Sequence, residues 1–289
     1  MANGILVIDK PAGWTSMDVC AKLRGVFHEK RVGHGGTLDP MATGVLPIFI
    51  GRATRAVEFT EKYDKEYIAE LKLGVITNTQ DITGEVLEVR PVQASRERLE
   101  EVLEQFRGDI MQLPPMYSAI KINGKKLYEL ARKGREVERP ARPVTIKSLE
   151  ILDQQGKDLY TIQVRCSKGT YIRTLCNDLG TALGCGGCMA SLCRAAAAGF
   201  DGEDAYPLEI IQAAPDPTVF LRPVDSLFQD RAALTVSGAV EKKIRNGMTA
   251  VLPDLAPGEY RVYSQGEIFL ALCRAQGGKL TTIKSFFEV

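Results

Sequence analysis

Hydrophobic positions along the chain follow two periods, and their succession predicts a mixed architecture. Residues 5–8 form a short β-prone run closed by Lys10, Pro11 and Gly13. Thr15 or Ser16 then caps a helix reaching to about Glu29, with Asp18 in the first turn, where a carboxylate is favoured. The glycine-rich segment 33–44 reads as a loop, 45–50 as a strand and 53–61 as a helix. Tyr67, Ala69, Leu71 and Leu73 alternate with Ile68, Glu70 and Lys72, the period of a strand. Ser95 opens a helix with Leu99, Val102, Leu103 and Phe106 on one face and Gly108 at its stop. Another strand is expected at 161–166 and a helix at 171–183. Strands and helices do not alternate regularly, so the prediction is α+β with a mixed or antiparallel sheet rather than a doubly wound one.

Pro215, Pro217 and Pro223 punctuate residues 213–230, which read as a connection between domains. Beyond them, short apolar runs separated by Gly, Pro and Asn are the signature of a small all-β barrel or sandwich. The expected division is therefore 1–229 and 230–289. No apolar run approaches the roughly 18 residues of a membrane span, and Lys10 and Pro11 interrupt any signal peptide. The expectation is a soluble, cytoplasmic chain that touches no membrane.

Composition adds little: 45% of the 289 residues are hydrophobic and 25% charged, which excludes collagen-like, disordered and coiled-coil classes. Charge adds more. The net value of +1 argues against indiscriminate polyanion binding. Yet residues 121–147 hold nine basic and three acidic side chains, and residues 201–230 hold seven acidic and one basic. The basic run is either a solvated face or an adaptable segment that follows phosphates, interleaved as it is with Gly124, Gly134 and Tyr128. Seven cysteines without a secretory signal read as reduced thiols. Cys185 and Cys188 have the spacing of half a zinc or redox site, but no second such pair accompanies them, so no metal and no cofactor is expected.

Phosphate-loop, nucleophile-elbow and zinc-helix motifs are all missing, and His28 and His34 are the only histidines. Catalysis must therefore lean on carboxylate, Tyr, Lys or Arg. The densest candidate is Arg31-Val-Gly-His34-Gly-Gly-Thr-Leu-Asp39-Pro40-Met-Ala-Thr-Gly44. Asp39 precedes a proline that pushes it towards extended backbone, and the glycines permit close approach. A carboxylate held there can serve as a nucleophile or as an ordinary turn or cap.

That stretch, continued through Val45-Leu46-Pro47, closely resembles the catalytic motif of the TruB family of tRNA pseudouridine-55 synthases. Further similarity follows in family order: Asp9-Lys10-Pro11-Ala-Gly13-Trp-Thr-Ser16, then Lys65-Glu-Tyr67-Ile-Ala, then Pro114-Pro115-Met-Tyr117-Ser118-Ala119-Ile-Lys121, then Lys168-Gly169-Thr-Tyr171-Ile-Arg173-Thr-Leu175. The tail is similar to a PUA domain, a small RNA-binding β-barrel. The resemblance implies a pseudouridine synthase catalytic domain with an RNA-clamping insertion at about 121–147, followed by a PUA-like domain at 230–289.

It also implies roles. The C1′–N1 bond of uridine 55 in a tRNA T-loop is cleaved, the uracil turns, and C1′–C5 forms, with no cofactor. Asp39 is the nucleophile, at C1′ or C6. Arg173 pairs with it, since an adjacent cation favours the carboxylate. Tyr67 stacks on the extruded base, Tyr171 and Leu192 shape the pocket, Lys10 supports its floor, and His34 fills the space the flipped base leaves. Lys125, Lys126, Arg132 and Lys133 grip phosphates. The partner is tRNA alone, bound by a monomer with no protein partner. Two departures stand out: Gly35 where Thr is common, and Cys193, followed by Arg194 and four alanines, where the family has a second Arg and then Thr and Gly. That second departure keeps open a tRNA-folding helper with little catalysis; a guide-RNA-dependent relative is disfavoured by the compact tail.

Overall fold

The computed structural model describes residues 2–122 and 124–287. Positions 1 and 288–289, at the ends of the expected division, and position 123, inside the expected insertion, lie outside them. In chain order the first elements are β1 (Gly4–Lys10), α1 (Ser16–Phe27), β2 (Val32–His34), β3 (Thr43–Ile50), a 3₁₀ stretch Gly51–Lys62, and β4 (Lys65–Leu73). A hairpin of β5 (Val75–Thr77) and β6 (Val86–Val89) leads to α2 (Arg96–Glu104) and β7 (Gly108–Gln112). Next come the small pair β8 (Lys121–Ile122) and β9 (Lys125–Lys126), α3 (Leu127–Ala131), β10 (Arg142–Gln155), β11 (Leu159–Cys166) and α4 (Ile172–Ala182). The first part closes with β12 (Gly187–Ala197), β13 (Phe200–Asp201), β14 (Tyr206–Pro207) and α5 (Leu208–Ala213).

These strands build one mixed sheet in the order β14-β1-β3-β12-β4-β11-β10-β7, with β2 on β3 and β13 on β12. The expected α+β class with a mixed sheet is what forms. Pairing is antiparallel except for β1–β14 and β3–β12. Central β3 is buried from Gly44 to Ile50, as a strand covered on both faces must be. β4 shows the alternation read from its sequence: Tyr67, Ala69, Leu71 and Leu73 turn inward. α1 starts where expected, because Thr15 Oγ1 accepts from the Asp18 amide (3.0 Å) while Asp18 Oδ2 accepts from the Thr15 amide (2.9 Å). It stops at Phe27, two residues early, since His28 enters the left-handed region (φ 50°).

Other expectations are corrected. Segment 33–44 is not loop throughout: Gly33 and His34 belong to β2 and pair with Phe49 and Ile48. The 53–61 helix is 3₁₀. The basic stretch 121–147 is divided, because Arg142 and Lys147 belong to β10 within the main sheet. Val144 and Ile146 face inward there, a period-two signal hidden among charges. The segment standing outside the sheet is thus 113–141.

The last sixty residues form β15 (Ala232–Thr235), α6 (Gly238–Arg245), β16 (Ala250–Val251), β17 (Gly258–Tyr263), β18 (Phe269–Gln276) and β19 (Lys279–Ser285). Their sheet runs β15-β17-β18-β19-β16 over its own core of Val262, Leu270, Cys273 and Leu280, consistent with a small barrel-like unit. The expected connection at 213–230 is packed: Ile5 and Arg222 exchange backbone hydrogen bonds at 2.8 Å, and Leu227 and Phe228 are buried. No helix among the described residues is long and apolar enough to cross a membrane.

Candidate active site

The turn between β2 and β3 carries Asp39 and is tied down on three sides. From α1, Ser16 Oγ accepts from the Leu38 amide (2.8 Å) and donates to the Leu38 carbonyl (3.2 Å). From the β1 side, the Gly13 amide and Lys10 Nζ donate to the Pro40 carbonyl at 2.8 and 3.2 Å. From β12, Arg194 Nε donates to the Val45 carbonyl (2.8 Å) and Nη2 to the Gly36 carbonyl (3.1 Å). Gly44 is essential to this arrangement. Its φ is +95°, and a Cβ there would lie 2.4 Å from the Arg194 carbonyl oxygen. Only glycine lets β3 approach β12 so closely.

Arg173 stands in the first turn of α4 with its side chain 6% exposed. Its Nε meets Asp39 Oδ2 at 2.9 Å. Nη1 donates to the Thr79 carbonyl (3.1 Å) and Nη2 to the Tyr117 carbonyl (2.7 Å). A second carboxylate, Asp81 Oδ2, lies 3.7 Å from Nη1. Asp81 is itself buried and fixed, with Oδ1 accepting from Thr79 Oγ1, the Thr83 amide and Thr83 Oγ1 at 2.9, 3.0 and 2.6 Å. The guanidinium therefore bridges the β2–β3 turn, the β5–β6 hairpin and the root of the insertion.

The other expected residues gather around this pair in different ways. Tyr67 on β4 is buried and lies opposite Arg194 in the β4–β12 register; burial raises its phenol above the usual range, while Arg194 pulls the other way. Leu192 on β12 packs in the same core as Tyr67. Lys10 is fully buried, its Nζ donating to the carbonyls of Pro11, Trp14 and Pro40. Burial lowers its pKa to about 8, against the opposing pull of Asp39. Tyr171 precedes α4, its backbone gripped by the Gln112 amide group at 2.7 and 3.0 Å, and burial raises its phenol. His34 ends β2; burial and Arg194 lower its pKa, and its buried Nδ1 has no hydrogen-bond partner among the described residues. Lys125, Lys126, Arg132 and Lys133 stay apart on the insertion, where Lys126 and Arg132 flank the Tyr128 ring at 5.3 and 5.4 Å. Sequence reasoning passed over Asp81, whose signal was Thr79-Gln-Asp81-Ile-Thr83, and gave no role to Arg194, the largest fully buried side chain.

An aimed carboxylate beside a tyrosine and a fixed arginine, on a loop closed by buried cations, suits covalent attack on an electrophilic ring or sugar carbon. Comparison with known families decides which chemistry this is. Residues 24–172 match the TruB family pseudouridylate synthase N-terminal domain, and residues 173–229 the tRNA pseudouridylate synthase B C-terminal domain. The chain belongs to the TruB family.

Relatives in the TruB family bear this out over most of the chain. The tRNA pseudouridine synthase B of Alkaliphilus oremlandii is 49% identical over 85% of this chain and 82% of its own. That of Clostridium kluyveri is 40% identical over 98% and 99%. Among solved structures, a Cbf5-Nop10-Gar1 complex aligns with a TM-score of 0.74 at 24% identity, over 98% of this chain and 85% of that one. An H/ACA RNP bound to a substrate RNA containing 2′-deoxyuridine aligns at 0.72 and 21%, over 99% and 85%. At such identities these two share the fold. As a TruB-family member the chain is an enzyme, a pseudouridine synthase of the isomerase class.

Proposed function

We propose that this chain isomerises uridine 55 in the T-loop of tRNA to pseudouridine, with Asp39 as nucleophile on a flipped-out nucleotide. The observation that carries the reading is the Asp39–Arg173 contact at 2.9 Å on a loop whose backbone is pinned from α1, β1 and β12. The tRNA substrate is supported by the names of the relatives. Asp39 attacks C1′ of the ribose or C6 of the ring, the C1′–N1 bond breaks, the uracil turns, and C1′ bonds to C5. The C5 proton leaves and N1 gains one, so no redox partner or group donor is needed. Arg173 orients the carboxylate and balances its charge through the reaction. Tyr67, a neutral phenol in this setting, offers a stacking face for the base, with Leu192 and Tyr171 as pocket walls and Lys10 holding the floor of the turn. The free Nδ1 of His34 supports a role against the opened T-loop, since a buried polar atom without a partner is costly unless a ligand supplies one.

The insertion is the RNA clamp in this reading, and the five-stranded tail is a PUA-like RNA-binding unit. The enzyme acts as a monomer in the cytoplasm. The folding-helper alternative rested on residues 193–199, yet that stretch supplies Arg194, which pins the catalytic turn; no observation favours a helper without catalysis.

Tritium release from C5-labelled uridine in an unmodified tRNA transcript tests the proposal. Wild type should release label from position 55 only. Asp39→Asn should lose at least roughly 10³-fold in rate while its tRNA Kd stays within about threefold. Near-native release by that variant rules out Asp39 as nucleophile, and release that persists after uridine 55 is replaced rules out the position.

A further inference from the structure

Lys65 opens β4, two residues before Tyr67, and nothing in the reaction above employs it. Its charged neighbours are satisfied. Lys168 pairs with Glu61 at 2.6 Å, Lys147 and Arg165 share Asp64 at 2.8 and 3.3 Å, and Glu66 accepts from Gln163 at 2.6 Å. Among the described residues, no carboxylate pairs with Lys65 or with Arg194. Instead both cations converge on one glycine of the catalytic turn. A Cβ at Gly36 would lie 3.3 Å from Lys65 Nζ and 3.5 Å from Arg194 Nη1, and Gly36 holds a φ of +123° that excludes other residues. The side-chain-free backbone is what admits the two groups together.

Two like charges held beside each other away from bulk water repel, and the energy grows as the surroundings dry. Burial and Arg194 together press the Lys65 ammonium below its usual range. Arg194 is fully buried and committed to loop carbonyls, so it cannot move away; Lys65 is only half-buried. An incoming anion relieves this repulsion, and the substrate class supplies one at every nucleotide.

We infer that Lys65, backed by Arg194 at Gly36, is a binding site for a phosphodiester group of the RNA strand next to the flipped nucleotide. The site rests on the RNA-modifying reading and adds a contact to it. It ties the strand to the same turn that carries Asp39, so that phosphate binding and base placement share one rigid element. A cation already desolvated when the RNA arrives has less hydration to lose than an exposed lysine, which favours a localised contact over diffuse attraction.

Full-length wild type, Lys65→Met and Lys65→Arg, each with the unmodified tRNA transcript, provide the test, with Kd measured across a salt series. Each phosphate neutralised contributes about 0.7–0.9 to the slope of log Kd against log salt. Lys65→Met should bind roughly tenfold more weakly near 0.1 M salt, with a slope shallower by about that amount, and Lys65→Arg should restore most of it. The free Lys65→Met protein should melt no lower than wild type, because the change removes an unpaired, half-buried charge held beside Arg194. An unchanged slope in Lys65→Met overturns the inference, whatever its affinity or melting temperature. Tritium release by wild type is read in the same samples. A shallower slope for Lys65→Met without wild-type release would leave the phosphate site standing and remove the isomerase reading instead.

Discussion

Arg173 makes one contact with the Asp39 carboxylate and three with groups that fix where that contact occurs. Asp81 is the most informative of the three. It is a buried carboxylate sharing the guanidinium with Asp39, so Arg173 is held from a side other than Asp39. Replacing it with Asn preserves shape and removes charge. Asp81→Asn should therefore lower kcat by roughly 10- to 100-fold with KM within about threefold, because only alignment is disturbed. A matching rise in KM with intact kcat would mean that Asp81 serves binding instead. The Asp39–Arg173 pairing could be anticipated from motif resemblance. Asp81 could not, since a lone Asp between two threonines reads as a turn until the fold brings it beneath α4.

Among the elements, the insertion at 113–141 differs most from its sequence pattern. The charge run suggested one basic arm, yet its last members stand in β10. What remains is not a free loop. Arg139 Nε donates to the Pro114 carbonyl at 2.6 Å, closing the two ends of the arm on each other, while Nη1 donates locally to the Val137 carbonyl at 3.2 Å. Leu127 is fully buried, and the Tyr117 carbonyl is held by Arg173. The arm is thus anchored at Arg173, the partner of Asp39, and charged at its far end. Neutralising Lys125, Lys126, Arg132 and Lys133 together should shallow the salt slope of tRNA binding by up to about three units, with single-turnover rate at saturating enzyme little changed. An identical slope would return these four side chains to the status of solvated surface.

At the scale of the whole molecule, the two sheets share a core. Phe228, from the segment joining them, meets Phe59, Phe286 and Phe269 at ring-centroid distances of 5.1, 5.9 and 6.3 Å. Polar contacts rim this seam: Arg55 donates to Ser285 Oγ (2.8 Å), Tyr63 to the Leu227 carbonyl (2.9 Å), and Lys284 pairs with Glu58. The tail is therefore fixed against the large mixed sheet and its flanking segments rather than tethered to them. Deleting residues 230–289 should weaken tRNA binding more than it slows the bound chemical step, which is checked by Kd alongside single-turnover release. It should also lower Tm by several degrees, because Phe228 loses its covering. Unchanged affinity would remove the RNA-binding role proposed for the tail.

What the sequence determined by itself was local or carried by motif: the capping box that starts α1, the alternation that buries one face of β4, and the order of motifs that placed the chain in its family. β12 stayed hidden because its run of Gly, Ala, Ser and Cys has neither apolar period; it becomes a strand only because β3 and β4 close on it from both sides, one of them through Gly44. The same close approach buries Arg194, and the sheet order alone brings Lys65 beside it. Spacing along a chain specifies which residues share a face. Only the assembled sheet decides which charges are buried together and left without a counter-charge, because burial and distance belong to the tertiary structure.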